Sequence, residues 1–415
     1  MGAKKSGGSK KSKRNGAAPE KKYVSFKESA RSLFLEPVDI LAVDRKPPRI
    51  DDLDLFRGYA TFGFIIYHAV LLLGNEAVDY DSLLGFISYI IFWTPIGGKA
   101  LFQIYIGIYL VYARSSTQTI IKRGLTILAA GYALNALRFL PVIIGVSRGT
   151  LRMEAFAPYR NLGDMFFSVD IFQFAGLAFL AYALLRKVFR GVVKPVYWLY
   201  MALAVILISP FLAPLMTGNI YIDRVLELLW GDGFHVWFPF FPTFCYTLLG
   251  AMFGCMLIRI KSFRNHECSF MIISILTFAL GILLTDICRQ PSGYIYFKIL
   301  GSDFIYESPE IVIKVLGFLM FQQALAVCLN RYVPRNIIFR FYRYMSYNIT
   351  PIYIWQWIII GWISGIYFHA FLQQNVAEVS VVIAITTLLT CILTELTKKA
   401  MKAVKNYTAG KESRA

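Results

Sequence analysis

DLFRGYATFGFIIYHAVLLLG, residues 54–74, decides the fold. Beyond Arg57 the stretch holds no Asp, Glu, Lys or Arg, and His68 is its one polar interruption of consequence. Crossing the hydrocarbon core of a bilayer takes about 20 largely apolar residues, and this stretch supplies them. Comparable stretches follow at 84–113, 124–143, 168–185, 196–216, 236–258, 269–287, 311–329, 346–369 and 378–397. The expected fold is therefore all-α: a polytopic integral membrane helix bundle of about ten transmembrane helices, with both termini cytoplasmic. The second stretch is too long for one straight crossing and contains Pro95, Gly97 and Gly98, so a kink or a partly in-plane start is expected there.

Composition agrees. The 415 residues are 57% hydrophobic and 16% charged, with a mean hydropathy of +0.55, whereas soluble domains carry about a quarter charged residues. The net charge of +18 could suggest nucleic acid, but its distribution excludes that partner. Residues 1–50 hold 13 Lys/Arg against 5 Asp/Glu, and most other basic residues lie in short connections. Nucleic-acid grooves interleave basic and aromatic residues on one folded face, which a Gly/Ser/Lys tail does not supply. The cationic tail instead suits the anionic lipids of an inner leaflet.

Charge also sets the orientation. Alternate connections carry Arg114/Lys122/Arg123, Arg186/Lys187/Arg190/Lys194, Arg259/Lys261/Arg264, Arg331/Arg335/Arg340/Arg343 and Lys398/Lys399/Lys402/Lys405, while 75–82 and 371–377 carry no Lys or Arg. The positive-inside rule places the first set in the cytoplasm. The chain divides into a disordered basic tail at 1–23, an interfacial helix or linker at 24–50, the membrane domain at 51–398, and a basic cytoplasmic tail at 399–415. Met1-Gly2 with Ser6 fits the loose N-myristoylation pattern, and the absence of an apolar N-terminal run argues against a cleaved signal. Cys245, Cys255, Cys268, Cys288, Cys328 and Cys391 form no CxxC pair and read as small core residues.

Ionisable groups inside spans are costly and by default mark function. Arg57 and His68 are eleven residues apart, about three turns and roughly 16 Å of rise, so one helix face offers a group toward each side of the membrane. Asp170, Lys99, His235, Asp286 and Lys314 complete the set, with His369 near an interface and Arg289 in reach of Asp286. No set of metal ligands is expected.

Several of these residues sit in motifs of a known kind. Asp54-Leu55-Phe56-Arg57-Gly58 with His68 resembles the D-x-x-R-G…H opening span of the transmembrane acyltransferase superfamily, which includes heparan-alpha-glucosaminide N-acetyltransferase and the bacterial acyltransferase 3 enzymes. Lys99-Ala100-Leu101-Phe102 with Gly107, Lys122-Arg123 with Gly131, and Asp170-Ile171-Phe172-Gln173 with Gly176-Leu177 resemble its next spans in order. Phe238-Pro239-Phe240-Phe241-Pro242 with Gly250 and Gly254, and Met345-Ser346 through Tyr353, are similar to its later ones. Trp355-Gln356-Trp357 stands where many members carry a histidine, and Thr243 where a tryptophan is usual.

The resemblance implies an acyltransferase that moves an acyl group, acetyl in the first instance, from cytoplasmic acyl-CoA to a hydroxyl or amine of a glycan or lipid. It implies His68 as base or transient acyl acceptor, Asp170 as its orienting partner and Lys99 as a charge-stabilising group. Asp54, Arg57 and Arg123 would contact the donor, and His235, Asp286, Lys314 and Gln356 the acceptor. Homo-oligomers are compatible with it. Two other classes stay open: a transporter or flippase using the same buried charges, and a catalytically silent scaffold. Inverted repeats with paired broken helices, the usual pointer to transport, are not evident in the sequence.

Overall fold

A computed structural model describes residues 31, 34–41, 51–75, 82–92, 98–113, 115–212, 215–231, 235–260, 267–290, 293–294, 309–334 and 336–412. Of the described residues, 82% are helical. Six helices are long and apolar enough to cross a membrane, seven if one bent pair counts as a span, and three shorter apolar helices accompany them among the described residues. The basic tail expected at 1–23 and most of 24–50 lie outside the described residues.

Helix α1 (Asp51–Leu73) is the central strut. After it come α2 (Leu83–Phe92) and α3 (Gly98–Tyr112), which flank the expected kink; its Pro95 and Gly97 lie outside the described residues. Helices α4 (Thr117–Arg138) and α5 (Leu140–Ser147) meet at a 55° bend. One straight span was expected over 124–143, and Pro141 explains the difference. Proline has no N–H for the carbonyl four residues back and its ring clashes with it; that carbonyl, on Leu137, instead accepts the Trp362 indole N–H at 2.8 Å.

The short α6 (Leu162–Phe166), α7 (Ile171–Val188), α8 (Pro195–Leu212), α9 (Ile220–Trp230), α10 (Phe240–Ile260), α11 (Glu267–Cys288) and α12 (Pro309–Tyr332) follow. Then come α13 (Ile337–Tyr347), α14 (Ile349–Ile363) with a π-turn at Ser364–Phe368, and α15 (Val376–Glu412). Two differences from the sequence reading appear here. Arg340 and Arg343, expected in a loop, lie on α13, an amphipathic helix capped by Asn336. The tail from 399 continues α15 as helix to Glu412. In both, alternating charges and apolar residues at helical spacing look like loop when judged by charge alone.

Close packing depends on glycine, as expected where lipid supplies no hydrophobic drive between helices. A Cβ on Gly58 would stand 1.7 Å from the Tyr342 carbonyl oxygen, so α1 admits the backbone of α13 only because that side chain is missing. Gly107 and Gly250 do the same for α3 against α10. Two short sheets complete the fold: β1 (Val38–Asp39) pairs antiparallel with β2 (Val192–Val193), and β3 (Arg289–Gln290) with β4 (Gly293–Tyr294). At the His68 end, Leu372 and Gln374 donate their amides to the Leu72 and Leu73 carbonyls, tying the 372–374 segment to the end of α1.

Candidate active site

Two polar clusters lie along α1. At its start, Arg57 donates through Nη2 to Asp54 Oδ1 at 2.9 Å and through Nε to Ser346 Oγ at 2.8 Å, and Ser346 Oγ donates to the same Asp54 oxygen at 2.8 Å. The spacing of Asp54 and Arg57 puts them on one helix face, one turn apart. Ser346 reaches them from α13 because Gly58 lets that helix in. Arg57 stacks over Tyr109 at 5.1 Å and keeps a partly exposed guanidinium, whereas Asp54 is fully buried.

Three turns along, His68 is sealed among rings. Trp357 stacks on it at 4.0 Å and Phe64 at 5.2 Å, with Tyr353 at 5.9 Å and Trp237 at 6.2 Å. Its Nδ1 is buried and has no hydrogen-bond partner among the described residues.

Beside this cage Asp170 caps the N-terminus of α7. It accepts the Ile171 amide at 2.7 Å, and Gln173 returns the contact to the Asp170 amide at 3.1 Å, completing a capping box. The orienting contact expected between Asp170 and His68 is not made. Instead Arg138 Nη1 donates to Asp170 Oδ2 at 2.8 Å and the Tyr353 hydroxyl to Oδ1 at 2.5 Å. The Arg138 guanidinium lies 4.4 Å from the Trp357 ring and 4.7 Å from that of Phe139. Trp357 is thus in ring contact with His68 and with Arg138 alike. The Nε and Nη2 atoms of Arg138, and both polar atoms of the buried Gln356, have no partner among the described residues.

A third cluster flanks the cage. The Val169 amide donates to the His235 carbonyl at 2.8 Å, and the Trp237 amide returns to the Val169 carbonyl at 2.9 Å. His235 Nε2 sits 2.9 Å from Arg224 Nη1 and 3.1 Å from Glu227 Oε2, while Arg224 also pairs with Asp164. Burial pushes the Asp164 and Glu227 carboxyls up. For Asp164 the hydrogen bonds from Arg224 and the Arg160 amide outweigh it; for Glu227, the hydrogen bond and charge of His235 and the contacts to Arg224 do so. Both carboxyls are held below the ordinary carboxylate range.

The family model of the heparan-alpha-glucosaminide N-acetyltransferase catalytic domain matches residues 49–273, more than half of the chain. The chain belongs to this family. Comparison with curated proteins and with solved structures yields no match. The family match contains His68, Asp170, Arg138, Arg57 and Asp54, and ends before Ser346, Tyr353, Gln356 and Trp357, which complete both clusters.

The other expected site residues are spread over several helices. Arg123 is exposed on α4, and Lys314 is half-buried on α12, its backbone against Gly281 of α11. His369 is exposed with a left-handed φ of 58°. Lys99 begins α3 and Asp286 ends α11, and the side chains of Lys99, Asp286 and Arg289 lie outside the described residues. Among the described residues no three His, Cys, Asp or Glu side chains are grouped to hold a metal ion. Arg138, Trp237, Asp164, Arg224 and Glu227 were not singled out from sequence. Arg138 carried a signal: it lies inside the expected third span, where a charge is costly.

Proposed function

We propose that this family member is a membrane-embedded acyltransferase that takes an acyl group from cytoplasmic acyl-CoA and gives it to a hydroxyl or amine of a glycan or lipid. One observation carries the reading. His68 Nδ1, Arg138 Nε and Nη2, and the Gln356 amide are buried and have no partner among the described residues, and His68 and Arg138 share contact with Trp357. Buried polar atoms are nearly always paired, so a group of unpaired ones asks for a ligand.

Their chemistry matches acyl transfer. The acceptor oxygen or nitrogen attacks the thioester carbonyl, and His68 removes its proton. The free donors of Arg138 stabilise the oxyanion that forms, in a site too dry for water to do so. As the carbon–sulfur bond breaks, the proton returns from His68 to the departing CoA thiolate. Asp170 and Tyr353 fix the guanidinium, and Gln356 positions the acceptor. Arg57, with Asp54 and Ser346, marks the donor's entry end, where a cationic, partly exposed group suits CoA phosphates. Arg123, Lys99, His235, Asp286 and Lys314 keep their expected donor, charge-stabilising and acceptor roles as part of this proposal.

The topology that serves it has ten crossings: the six long helices, the bent α4–α5 pair and the three shorter apolar helices. Both termini are cytoplasmic, on the side of the Lys/Arg-rich connections. The test is to incubate protein purified into nanodiscs with radiolabelled acetyl-CoA and a panel of glycans and lipids. Label should reach an acceptor with the wild type and not with His68→Ala; full transfer by His68→Ala would remove the assignment of the base.

A further inference from the structure

Phe64 and Tyr353, two of the rings that close on His68, also line a cavity of about 360 Å³ between α1, α3, α4, α7 and α14. Phe64 is one turn from His68 on the Arg57 side of α1, so the cavity begins at the site and extends toward the donor's end. Among its described lining residues only Thr126, Thr350 and Tyr353 are polar. Two of these hydroxyls are already engaged: Thr126 donates to the Lys122 carbonyl at 2.8 Å and Tyr353 to Asp170 at 2.5 Å. The remaining walls are aliphatic and aromatic carbon, with Ala130 of α4 and Ala175 of α7 leaving the room. Such a space makes almost no hydrogen-bonding demand and suits an apolar occupant.

Its size exceeds what acetyl transfer requires. A volume of about 360 Å³ is on the order of ten times that of a water molecule in the liquid, and a methylene is of similar bulk. Thr126 and Thr350 are exposed, so the cavity opens between α4 and α14, and a chain end has somewhere to go.

We propose that this cavity receives the alkyl chain of an acyl donor longer than acetyl, of roughly six to ten carbons, with the thioester carbonyl at the His68–Arg138 site. The inference rests on the acyl-transfer reading above and adds the chain-length class of its donor.

The experiment measures binding of acetyl-CoA and octanoyl-CoA to the full chain in nanodiscs, with empty nanodiscs subtracted. Burial of the added methylenes should make octanoyl-CoA bind about tenfold or more tightly than acetyl-CoA. Ala130→Phe and, separately, Ala175→Phe fill the cavity from two helices. Each should abolish that advantage and leave acetyl-CoA within about twofold of the wild type. Equal binding of both donors by the wild type, or variants that weaken both donors alike, would overturn the chain pocket while leaving acyl transfer standing. Failure of both donors to bind the wild type overturns the acyl-CoA reading and the pocket together.

Discussion

Arg138 and Asp170 form a buried ion pair at 2.8 Å, with side chains 1% and 3% exposed. Removing one partner from such a pair leaves a charge without compensation and costs about 3–5 kcal/mol, whereas removing both costs far less. Asp170→Asn retains a good N-cap residue, so it isolates the charge from the cap. It should lower the thermal midpoint sharply, and Arg138→Met added to it should restore most of the loss. A double variant no more stable than Asp170→Asn would show that the pair is not the unit described.

His68→Phe separates fold from chemistry. The ring stacked at 4.0 Å on Trp357 is preserved and a buried nitrogen without a partner is removed, so stability should stay within about 1 kcal/mol of the wild type. Acyl transfer should fall by about 10² to 10⁴ if His68 handles the proton. Melting curves and labelled-acyl transfer on the same preparation check both halves.

Gly58→Ala tests the approach of α13 to α1. The added methyl would meet the Tyr342 carbonyl at 1.7 Å, so α13 must withdraw and take Ser346 from Arg57. We expect a loss of about 1–3 kcal/mol and weaker acyl-CoA binding, read by thermal melting and by donor titration.

The Asp164–Arg224–Glu227–His235 cluster predicts a pH dependence of known sign. Both carboxyls are held below their ordinary range in the folded protein. Their contribution is therefore fully present above the unfolded value of about 4 and is lost as pH falls through the depressed folded values. Asp164→Asn with Glu227→Gln should melt well below the wild type at pH 7, and the gap should narrow below about pH 4. A gap that stays constant down to pH 3 would contradict the carboxylate pairing.

Much of this molecule is legible in its sequence. Most described residues of the stretches expected to span the membrane are helical, because apolar runs of that length have few alternatives. Asp170 was marked by the cost of its charge, whereas the pairing of Arg57 with Asp54 was not anticipated. The bend at Pro141 had a local signal, a proline inside an expected span, that went unread. Helix α13 was hidden because its arginines were read for sidedness and not for periodicity. The stack of Trp357 on His68 and the capture of Asp170 by Arg138 depend on which helices become neighbours, and no local pattern encodes that.

Both polar clusters straddle residue 273, where the family match stops: His68, Arg138 and Asp170 come from before it, Tyr353 and Trp357 from after. Neither portion holds a complete cluster. A chain severed between them should regain competence only when the two pieces reassociate, and inheritance of one portion without the other would carry no activity with it.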